Sequence, residues 1–388
     1  MRTPRFGHEV PARQADQRAP ERPAARFHAA VGRAGCGHSR SVEVISVTDV
    51  RTYDEGIAWD RYVLDHAMGS GYQLMGWRRV VERSFAHRTF YLMARDQNDQ
   101  VRGVLPLVFL SSRLFGRLLV SMPFVNYGGV LTNSIEAQQA LLEAAADRAR
   151  NLEATHIELR HQGPLDLDWT SKSHKVSMRL DLPREHEKLW KSFPSKLRSQ
   201  IRRARKEEMT VRIEGSEVLD DFYRVFARNM RDLGTPVYGR RFFGAIIETF
   251  PKDARLCVVY LAQQPVAAGL LYGFQNRLEI PWASSDRRYN RLSANMLLYS
   301  SALEYACREG FQVFDFGRSS PGGPTYRFKA QWGAKPVPLY WYHWSADGRA
   351  VPDLSPGNSR YRLAIEIWKR LPLALTRIIG PSIVRHIP

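Results

Sequence analysis

One order of sequence patterns occurs twice along this chain, and that repeat constrains the fold more than any other feature. In each copy, two β-branched and aromatic runs flank a polar turn, as in a hairpin, and a helical pattern then leads into a buried strand. The first copy comprises residues 89–95, 101–110, 120–130, 135–152 and 155–160; the second comprises 256–262, 266–274, 277–283, 292–310 and 313–317. The copies share element order and not residue identity. Internal duplication is favoured over the alternative, a chance similarity of two α/β segments.

A hairpin, a further strand and a crossover helix that precedes a strand predict an α+β fold. We expect two tandem domains with mixed, mostly antiparallel sheets that lie side by side with a groove between them. The predicted boundaries are 44–182 for the first domain, 183–350 for the second and 351–388 for an amphipathic tail. Pro372 is expected to interrupt the helical pattern of that tail.

Positive charge is concentrated in three segments of a chain with 57 Lys and Arg against 39 Asp and Glu, a formal net charge of +18. Residues 1–40 combine arginines with Pro, Ala and Gly and lack apolar periodicity, which predicts a disordered basic leader. The other two segments, 196–206 and 360–386, lie within patterned sequence. The charge indicates an anionic partner: nucleic acid, anionic lipid or a phosphorylated small molecule.

Several classes of protein are not indicated by the sequence. It has neither an apolar run of about 20 residues nor an apolar secretion signal, so we predict a cytoplasmic location. Cys36, Cys257 and Cys307 are odd in number and widely spaced, which predicts neither a disulfide framework nor a metal site. HExxH, GxSxG and a Gly-rich loop followed by Lys-Ser/Thr do not occur. We therefore expect no metal, no permanently bound cofactor and no covalent Ser or Cys nucleophile.

Three arginines are predicted to share one face of the helix that joins the halves. Arg198, Arg202 and Arg205 follow the i, i+4, i+7 spacing of a helix face. The neighbouring face carries apolar residues at the same spacing: Leu197, Ile201 and Ala204. Guanidinium forks match phosphate oxygens, so this face is a candidate phosphate or pyrophosphate clamp. A solvated basic face explains the same spacing, and both interpretations stay open.

A second basic cluster, Arg287, Arg288 and Arg291, precedes the helix of the second repeat. Small residues at the start of that helix, Ser293 among them, leave backbone N–H groups accessible, and a helix N-terminus favours an anionic group. We predict that these arginines and Ser293 bind a substrate phosphate. The alternative is that Asn290 or Ser293 caps the helix while the arginines face water.

The segment 314–332 joins a strand to a Gly- and Pro-rich loop and a short helical or turn-like stretch. Asp315 alternates with two phenylalanines, so its carboxylate should oppose them and needs a partner or a function. Tyr326 and Lys329, three residues apart, are expected to share one face. The alternative for Asp315 is a structural pair with a nearby arginine, for which Arg318 is the candidate.

Several motifs of this chain together resemble one protein family. The combination of PSKLRSQIRRARK, NMRDLGTPVYGRRFF, GLLYGF and FDFGRSSPGGPTYRFKAQWG resembles the FemAB-like branch of the GNAT acetyltransferase superfamily. Residues 112–131 are similar, within that branch, to FemAB-related proteins of exosortase (XrtA/PEP-CTERM) exopolysaccharide systems. The resemblance spans about residues 44–345. It implies that the two tandem domains are GNAT-like, that is, acyl-CoA N-acyltransferase-like.

The resemblance also implies an activity. Characterised FemAB enzymes transfer an amino acid from aminoacyl-tRNA to a peptidoglycan precursor, and related members use acyl-CoA. The long helical-hairpin arm of the staphylococcal enzymes has no counterpart in this sequence, which leaves acyl-CoA and aminoacyl-tRNA both open as donors. The family's FK-containing region maps onto Phe328 and Lys329. It implies that Lys329 stabilises negative charge at the reacting carbonyl.

From these observations we predict an acyl- or aminoacyl-transferase that acts on a bacterial envelope or exopolysaccharide precursor. Lys329, Tyr326, Phe328 and Asp315 would form the catalytic edge of the cleft between the halves, and oxyanion stabilisation would lower the barrier without a metal. The predicted ligands of the anionic donor or acceptor are Arg198, Arg202, Arg205, Arg287, Arg288, Arg291, Ser293 and Arg318.

Two alternatives remain at the level of the whole chain. The tail mixes apolar and basic residues, which predicts either contact with an anionic membrane surface near a lipid-linked acceptor or packing on the second domain. The first option would place the protein at the inner face of the membrane. The second alternative concerns activity: a non-catalytic protein that binds RNA or a polysaccharide precursor would keep the same fold.

Overall fold

In the described part of the chain, thirteen strands form a single mixed sheet that runs through both repeats. The computed structural model describes residues 44–112, 115–348 and 362–387, so the leader predicted at 1–40 lies outside the described residues. The strands are β1 (Ser46–Asp49), β2 (Arg88–Arg95), β3 (Val101–Ser112), β4 (Gly116–Val120), β5 (Leu131–Thr132), β6 (His156–His161), β7 (Thr170–Asp181), β8 (Met209–Glu214), β9 (Ala254–Leu261), β10 (Gln264–Phe274), β11 (Arg277–Ser285), β12 (Val313–Ser319) and β13 (Lys335–Ser345).

Helices cover both faces of this sheet. The α-helices of the described residues are α1 (Tyr53–Asp65), α2 (Met75–Phe85), α3 (Ile135–Asn151), α4 (His186–Ser192), α5 (Ser195–Lys206), α6 (Leu219–Leu233), α7 (Arg240–Thr249), α8 (Ala294–Arg308), α9 (Pro324–Ala330), α10 (Arg362–Arg370) and α11 (Leu373–Val384). In the first repeat, α3 begins where Ser134 accepts a hydrogen bond from the Ala137 N–H. Its face at Ala137, Leu141 and Ala145 is buried on the sheet, since these residues follow the four-residue helical spacing.

The strand order is β1-β2-β3-β4-β6-β13-β7-β12-β11-β10-β9-β8, with β5 paired to β3. Two pairs, β4–β6 and β11–β12, are parallel, and the other pairs are antiparallel. The predicted α+β class with a mixed, mostly antiparallel sheet is therefore confirmed. Both copies have the expected order, β2-β3-β4-α3-β6 and then β9-β10-β11-α8-β12.

The last strands of the two repeats have exchanged places. β13, which follows the second copy in sequence, lies between β6 and β7, and β7 pairs with β12 of the second copy. Each copy therefore completes the sheet of the other, and the two sheets are joined edge to edge. The domain boundary at 182/183 remains a prediction.

A loop of the first repeat enters the second. Residues 121–130 leave β4. The N–H groups of Gly128 and Gly129 donate to the Arg160 carbonyl of β6 in the same repeat, and the Asn126 amide donates to Glu279 of β11 in the second. Nearby, the Trp77 indole N–H donates to the Tyr272 hydroxyl at 3.0 Å, which joins α2 of the first half to β10 of the second. One aromatic core thus spans both halves.

The tail helices α10 and α11 pack against the rest of the protein. Pro372 separates α10 from α11, as predicted, because a proline cannot continue the preceding helix. Trp368 and Thr376 are buried, and Ile365 lies so close to Gly234 that a side chain there would clash with it. The described residues contain no helix long and apolar enough to cross a membrane. Of the two options for the tail, packing on the second half is observed.

Candidate functional site

The parallel strands β11 and β12 pair only over a short stretch and then separate. They are in register from Arg277 and Val313 to Glu279 and Asp315, and β11 continues to Ser285 without β12 beside it. Two buried carboxyl groups, Glu279 and Asp315, therefore lie at adjacent positions where the strands part, which we call the fork. From the first repeat, the Asn126 amide donates to Glu279 Oε1 at 2.5 Å.

Asp315 is fully buried and accepts three hydrogen bonds. The donors are the Ser177 hydroxyl at 2.5 Å, Arg179 Nε at 3.0 Å and the backbone N–H of Gly317 at 2.8 Å. Its ionic partner among the described residues is Arg179 rather than the predicted Arg318. Three donors hold the carboxylate in place, so it is suited to fixing the backbone at Gly317. The place of Asp315 in the catalytic edge stays a prediction.

Lys329 of α9 is buried, and its ammonium lies at the end of β12. Its Nζ donates to the carbonyl oxygens of Gly317 at 2.9 Å and Arg318 at 3.0 Å. Burial lowers the pKa of the Lys329 ammonium to about 8, while Asp315 and Glu279 oppose that shift and Arg318 adds to it. An ammonium has three N–H donors, so one remains for a ligand after these two bonds. Lys329 therefore offers a fixed, partly desolvated positive charge.

Glu279 is the second buried acid of the fork. The Tyr127 hydroxyl donates to its Oε2 at 2.9 Å, and Arg277 lies 3.3 Å from the same hydroxyl. Burial raises the pKa of the Glu279 carboxyl to about 7, and the neighbouring Asp315 raises it further because two adjacent carboxylates repel. Gln162 accepts hydrogen bonds from both Arg277 and Arg179, which links the two carboxyl groups into one network.

Positive groups surround the chain just after Gly317. The Arg318 and Arg160 guanidiniums lie over the Trp341 ring, at 5.0 and 4.5 Å from its centroid. Lys175 donates to the Ser320 hydroxyl at 2.6 Å, and its pKa is lowered by burial and by Arg318. Arg318 is exposed as a residue, but burial of its guanidinium, together with the neighbouring Arg160, lowers its pKa to about 10. This concentration of cations favours an anionic substrate group.

The two predicted aromatic residues of α9 have different surroundings from Lys329. Tyr326 is half-buried and packs against the apolar core of the second half. The Phe328 ring packs against Tyr299 at 5.1 Å and Trp332 at 6.3 Å. Phe328 therefore anchors α9 in the core. Catalytic contacts of Tyr326 and Phe328 stay predictions.

The predicted clamp on α5 is partly engaged in protein contacts. The Arg202 and Arg205 guanidiniums each lie 5.5 Å from the Trp190 ring centroid, and Arg205 pairs with Glu304 of α8 at 3.3 Å. Arg198 is half-buried, and its Nε has no hydrogen-bond partner among the described residues. The three arginines thus do not form one uncommitted phosphate clamp.

The two basic clusters meet through a residue that was not predicted. Arg203 of α5 donates to the Arg291 carbonyl at 3.2 Å, which places α5 against the 3-10 turn Arg287–Leu292. Arg288 forms an ion pair with Asp286 at 2.7 Å and is therefore not free to bind phosphate alone. Ser293 precedes α8 in a left-handed conformation and its side chain does not cap the helix.

Most of the site residues that the sequence did not predict lie in the first half of the chain. The alternation that singles out Asp315 also marks Glu279, which stands between Leu278 and Ile280. Ser177 and Arg179 gave no such signal, because their contact with Asp315 depends on the exchange of β7 and β13. The same holds for the loop residues Asn126 and Tyr127. Long-range pairing of this kind is not encoded in local periodicity.

Comparison with known proteins defines the class. Residues 191–330 match the family model described as an acetyltransferase (GNAT) domain. That range runs from α5 through α9 and includes the fork and Lys329. The expected GNAT-type acyltransferase is thereby confirmed for this domain. No curated protein matches the chain.

Solved structures share the fold over most of the chain. FemX is 17% identical with a TM-score of 0.58, over 76% of this chain and 97% of its own. A tandem GNAT protein from the clavulanic acid biosynthesis pathway is 14% identical with a TM-score of 0.53, over 79% and 100%. The C-terminal domain of a putative lysylphosphatidylglycerol synthetase from Agrobacterium fabrum is 10% identical with a TM-score of 0.50, over 76% and 92%. The chain therefore has the tandem GNAT fold.

Proposed function

We infer that this protein is an acyl- or aminoacyl-transferase whose reacting carbonyl binds beside Lys329 and whose acceptor is a bacterial envelope or exopolysaccharide precursor. The observation that carries the proposal is the buried Lys329 ammonium, which is bonded to two backbone carbonyls and keeps one N–H donor for a ligand. The FemAB-like motifs support the choice of acceptor, and the GNAT domain supports the choice of reaction.

In the reaction, an amine or hydroxyl of the acceptor attacks the donor's carbonyl carbon. The resulting tetrahedral oxyanion accepts a hydrogen bond from the Lys329 ammonium, which is already oriented and needs little reorganisation. When this intermediate collapses, the new C–N or C–O bond remains. The bond from the carbonyl carbon to the CoA sulfur or to the tRNA ribose oxygen breaks. The acceptor's proton passes to that leaving group or to solvent, so charge balances. Asp315 acts here as a positioning residue, through Gly317.

The donor is an anion held by the basic surface of the second half. Arg202, Arg203, Arg287 and Arg291 are exposed around α5 and the start of α8, and Arg318 is exposed near Lys329. Acyl-CoA and aminoacyl-tRNA both carry phosphates that such guanidiniums bind. The match of residues 191–330 to a GNAT acetyltransferase domain supports acyl-CoA as the donor. The FemX likeness supports aminoacyl-tRNA through the family resemblance.

The acceptor and the location follow from the same sources. The resemblance of residues 112–131 supports an exopolysaccharide system, and FemX supports a peptidoglycan precursor. A lipid-linked form of either precursor would bring the protein to the inner face of the membrane. The exposed tail residues Leu363, Ile367 and Ile378 support that location, since they are aliphatic side chains on a basic segment.

Replacing Lys329 with Met tests the site. Native mass spectrometry of the purified protein identifies the donor that co-purifies, and turnover is then measured with an envelope-precursor extract. Removing one oxyanion donor lowers turnover by about 100-fold or more, so Lys329→Met should lose most transfer and retain donor binding. Because the pKa of Lys329 is about 8, parent activity should fall as pH rises above that value.

Lys252→Met is the matched control, since Lys252 is exposed in the turn before β9 and should keep full turnover. A folded Lys329→Met protein with turnover within a few-fold of the parent would show that the site is not catalytic. A parent that binds the precursor and the donor but transfers nothing would instead indicate the non-catalytic binding protein.

A further inference from the structure

A separate cleft lies in the first repeat, between α3 and the end of β13. It has a volume of about 430 Å³, within the range of roughly 300–1,000 Å³ that is usual for small-molecule sites. Leu142 and Ala146 form its buried apolar floor, while the other lining residues are two tryptophans and three charged side chains of α3. None of these residues belongs to the network around Lys329.

Two tryptophans form one side of the cleft. Trp169 and Trp344 have ring centroids 6.3 Å apart at 38°, and both are half-exposed. Thr170 pairs with His343 across β7 and β13, so Trp169 and Trp344 are cross-strand neighbours. Their rings are therefore held side by side by the sheet. The electron-rich faces of such rings attract the polarised C–H groups of a ligand.

Charged residues form the opposite side. Glu143, Asp147 and Arg150 follow the i, i+4, i+7 spacing of α3 and are exposed. Arg150 pairs with Asp147 at 2.5 Å, and its guanidinium lies 5.5 Å from the Trp344 ring centroid. Carboxylates accept and guanidiniums donate, so this side can bind hydroxyl groups in both directions.

We propose that this cleft is a binding site for a neutral saccharide. A pyranose ring presents a C–H face, which packs on Trp169 and Trp344, and a rim of hydroxyls, which bond to Glu143, Asp147 and Arg150. The three charged side chains sum to a formal charge of −1, which disfavours the phosphate groups that suit the rest of this basic protein. The Arg150 guanidinium beside Trp344 repels a quaternary ammonium, whereas it can donate hydrogen bonds to the hydroxyl groups of a neutral saccharide.

The site goes beyond the proposed transferase activity and does not depend on it. A saccharide site away from Lys329 would hold a glycan chain while a different part of the molecule reacts. Binding at this cleft should therefore be unchanged in Lys329→Met. That independence separates a failure of this proposal from a failure of the proposed reaction.

Saturation-transfer NMR and calorimetry on the full chain test the site, with chitotriose and maltotriose as neutral probes and choline as the cationic comparison. We expect at least one trisaccharide to bind, with transfer strongest to its ring C–H protons. Trp344→Ala and Trp169→Ala should each weaken binding by about tenfold, the effect of losing one aromatic contact. Glu143→Gln, on the exposed side of α3, should fold normally and weaken binding a few-fold.

Trp190→Ala is the matched control, because it removes a similarly half-exposed tryptophan from α4 and should leave saccharide affinity unchanged. Three results overturn the proposal. The first is that neither trisaccharide binds the parent. The second is that binding survives in the folded tryptophan variants and in Glu143→Gln. The third is that choline binds the cleft in preference to both saccharides.

Discussion

Glu279 and Asp315 show how two adjacent acids acquire different properties. Asp315 accepts hydrogen bonds from an arginine, a hydroxyl and a backbone N–H. Glu279 is bonded to a neutral amide and a neutral phenol and lies next to the charge of Asp315. Burial and the neighbouring Asp315 destabilise the ionised form of Glu279, which explains why its pKa is raised.

The free energy of unfolding should report this difference through Glu279→Gln. The folded protein binds the Glu279 proton more tightly than the unfolded chain, so parent stability falls as pH rises from about 4.5 to about 7. The neutral Gln variant does not lose stability over this pH range in this way. Relative to the parent, Glu279→Gln should gain on the order of 2 kcal/mol between pH 5 and pH 8, measured by urea unfolding. Glu248→Gln, an exposed residue, is the control. A pH-independent difference would contradict the assignment.

Sequence alone identified some residues of the fork and missed others for a physical reason. Asp315 was marked by its place in an apolar strand, and Lys329 by the family motif. The positions of Arg179 and Asn126 depend on strand exchange and on a loop that crosses between repeats, which local patterns do not specify. The sequence also did not show that Arg288 pairs with Asp286, two residues before it, and its phosphate contact stays a prediction.

At the scale of single elements, α10 and α11 each bury one face and leave aliphatic residues on the other. Trp368 and Val384 are buried, whereas Leu363 is 73% exposed, Ile367 53% and Ile378 72%. His87 contacts the Arg385 carbonyl at 2.7 Å, which ties the end of α11 to the first half. The sequence predicted an amphipathic tail with a break at Pro372. The same two helices therefore pack against the second half and expose aliphatic side chains to solvent.

This exposed face should bind anionic membranes. Leu363→Glu, Ile367→Glu and Ile378→Glu combined should reduce flotation with phosphatidylglycerol-containing vesicles by about tenfold or more, because three aliphatic contacts are lost and negative charge is added. Phosphatidylcholine vesicles should bind the parent more weakly. The control places glutamates at Tyr53 and Ile57, which are equally exposed on α1. Equal flotation of the tail variant and the parent would rule out this role of the tail.

At the scale of the whole molecule, the exchange of β7 and β13 makes the two repeats one structural unit. β13 fills the position between β6 and β7, so β6 has no partner on that side without it. The sequence predicted two sheets side by side from the repeated order of elements. It did not predict the exchange, since β7 and β13 follow their repeats in equivalent places and either pairing satisfies the local pattern.

Truncation after Gly333 tests this interdependence. It removes only residues that follow the second repeat, yet we expect hydrogen exchange protection to be lost in β6 and β4 of the first repeat as well. The full chain should unfold in a single cooperative transition. A truncated chain in which β2, β3, β4 and β6 remain protected would show that the first repeat folds alone.

The exchange also means that β6 is synthesised on the ribosome long before its partner strand β13. β6 is complete at His161, but its neighbour β13 begins at Lys335, 174 residues later by subtraction. At about 5–20 residues per second, that interval lasts roughly 9 to 35 seconds. During it, the nascent chain carries an unpaired strand edge, the kind of surface to which other chains add. The yield of native protein should therefore depend on chaperones that cover this edge until the last strand has been made.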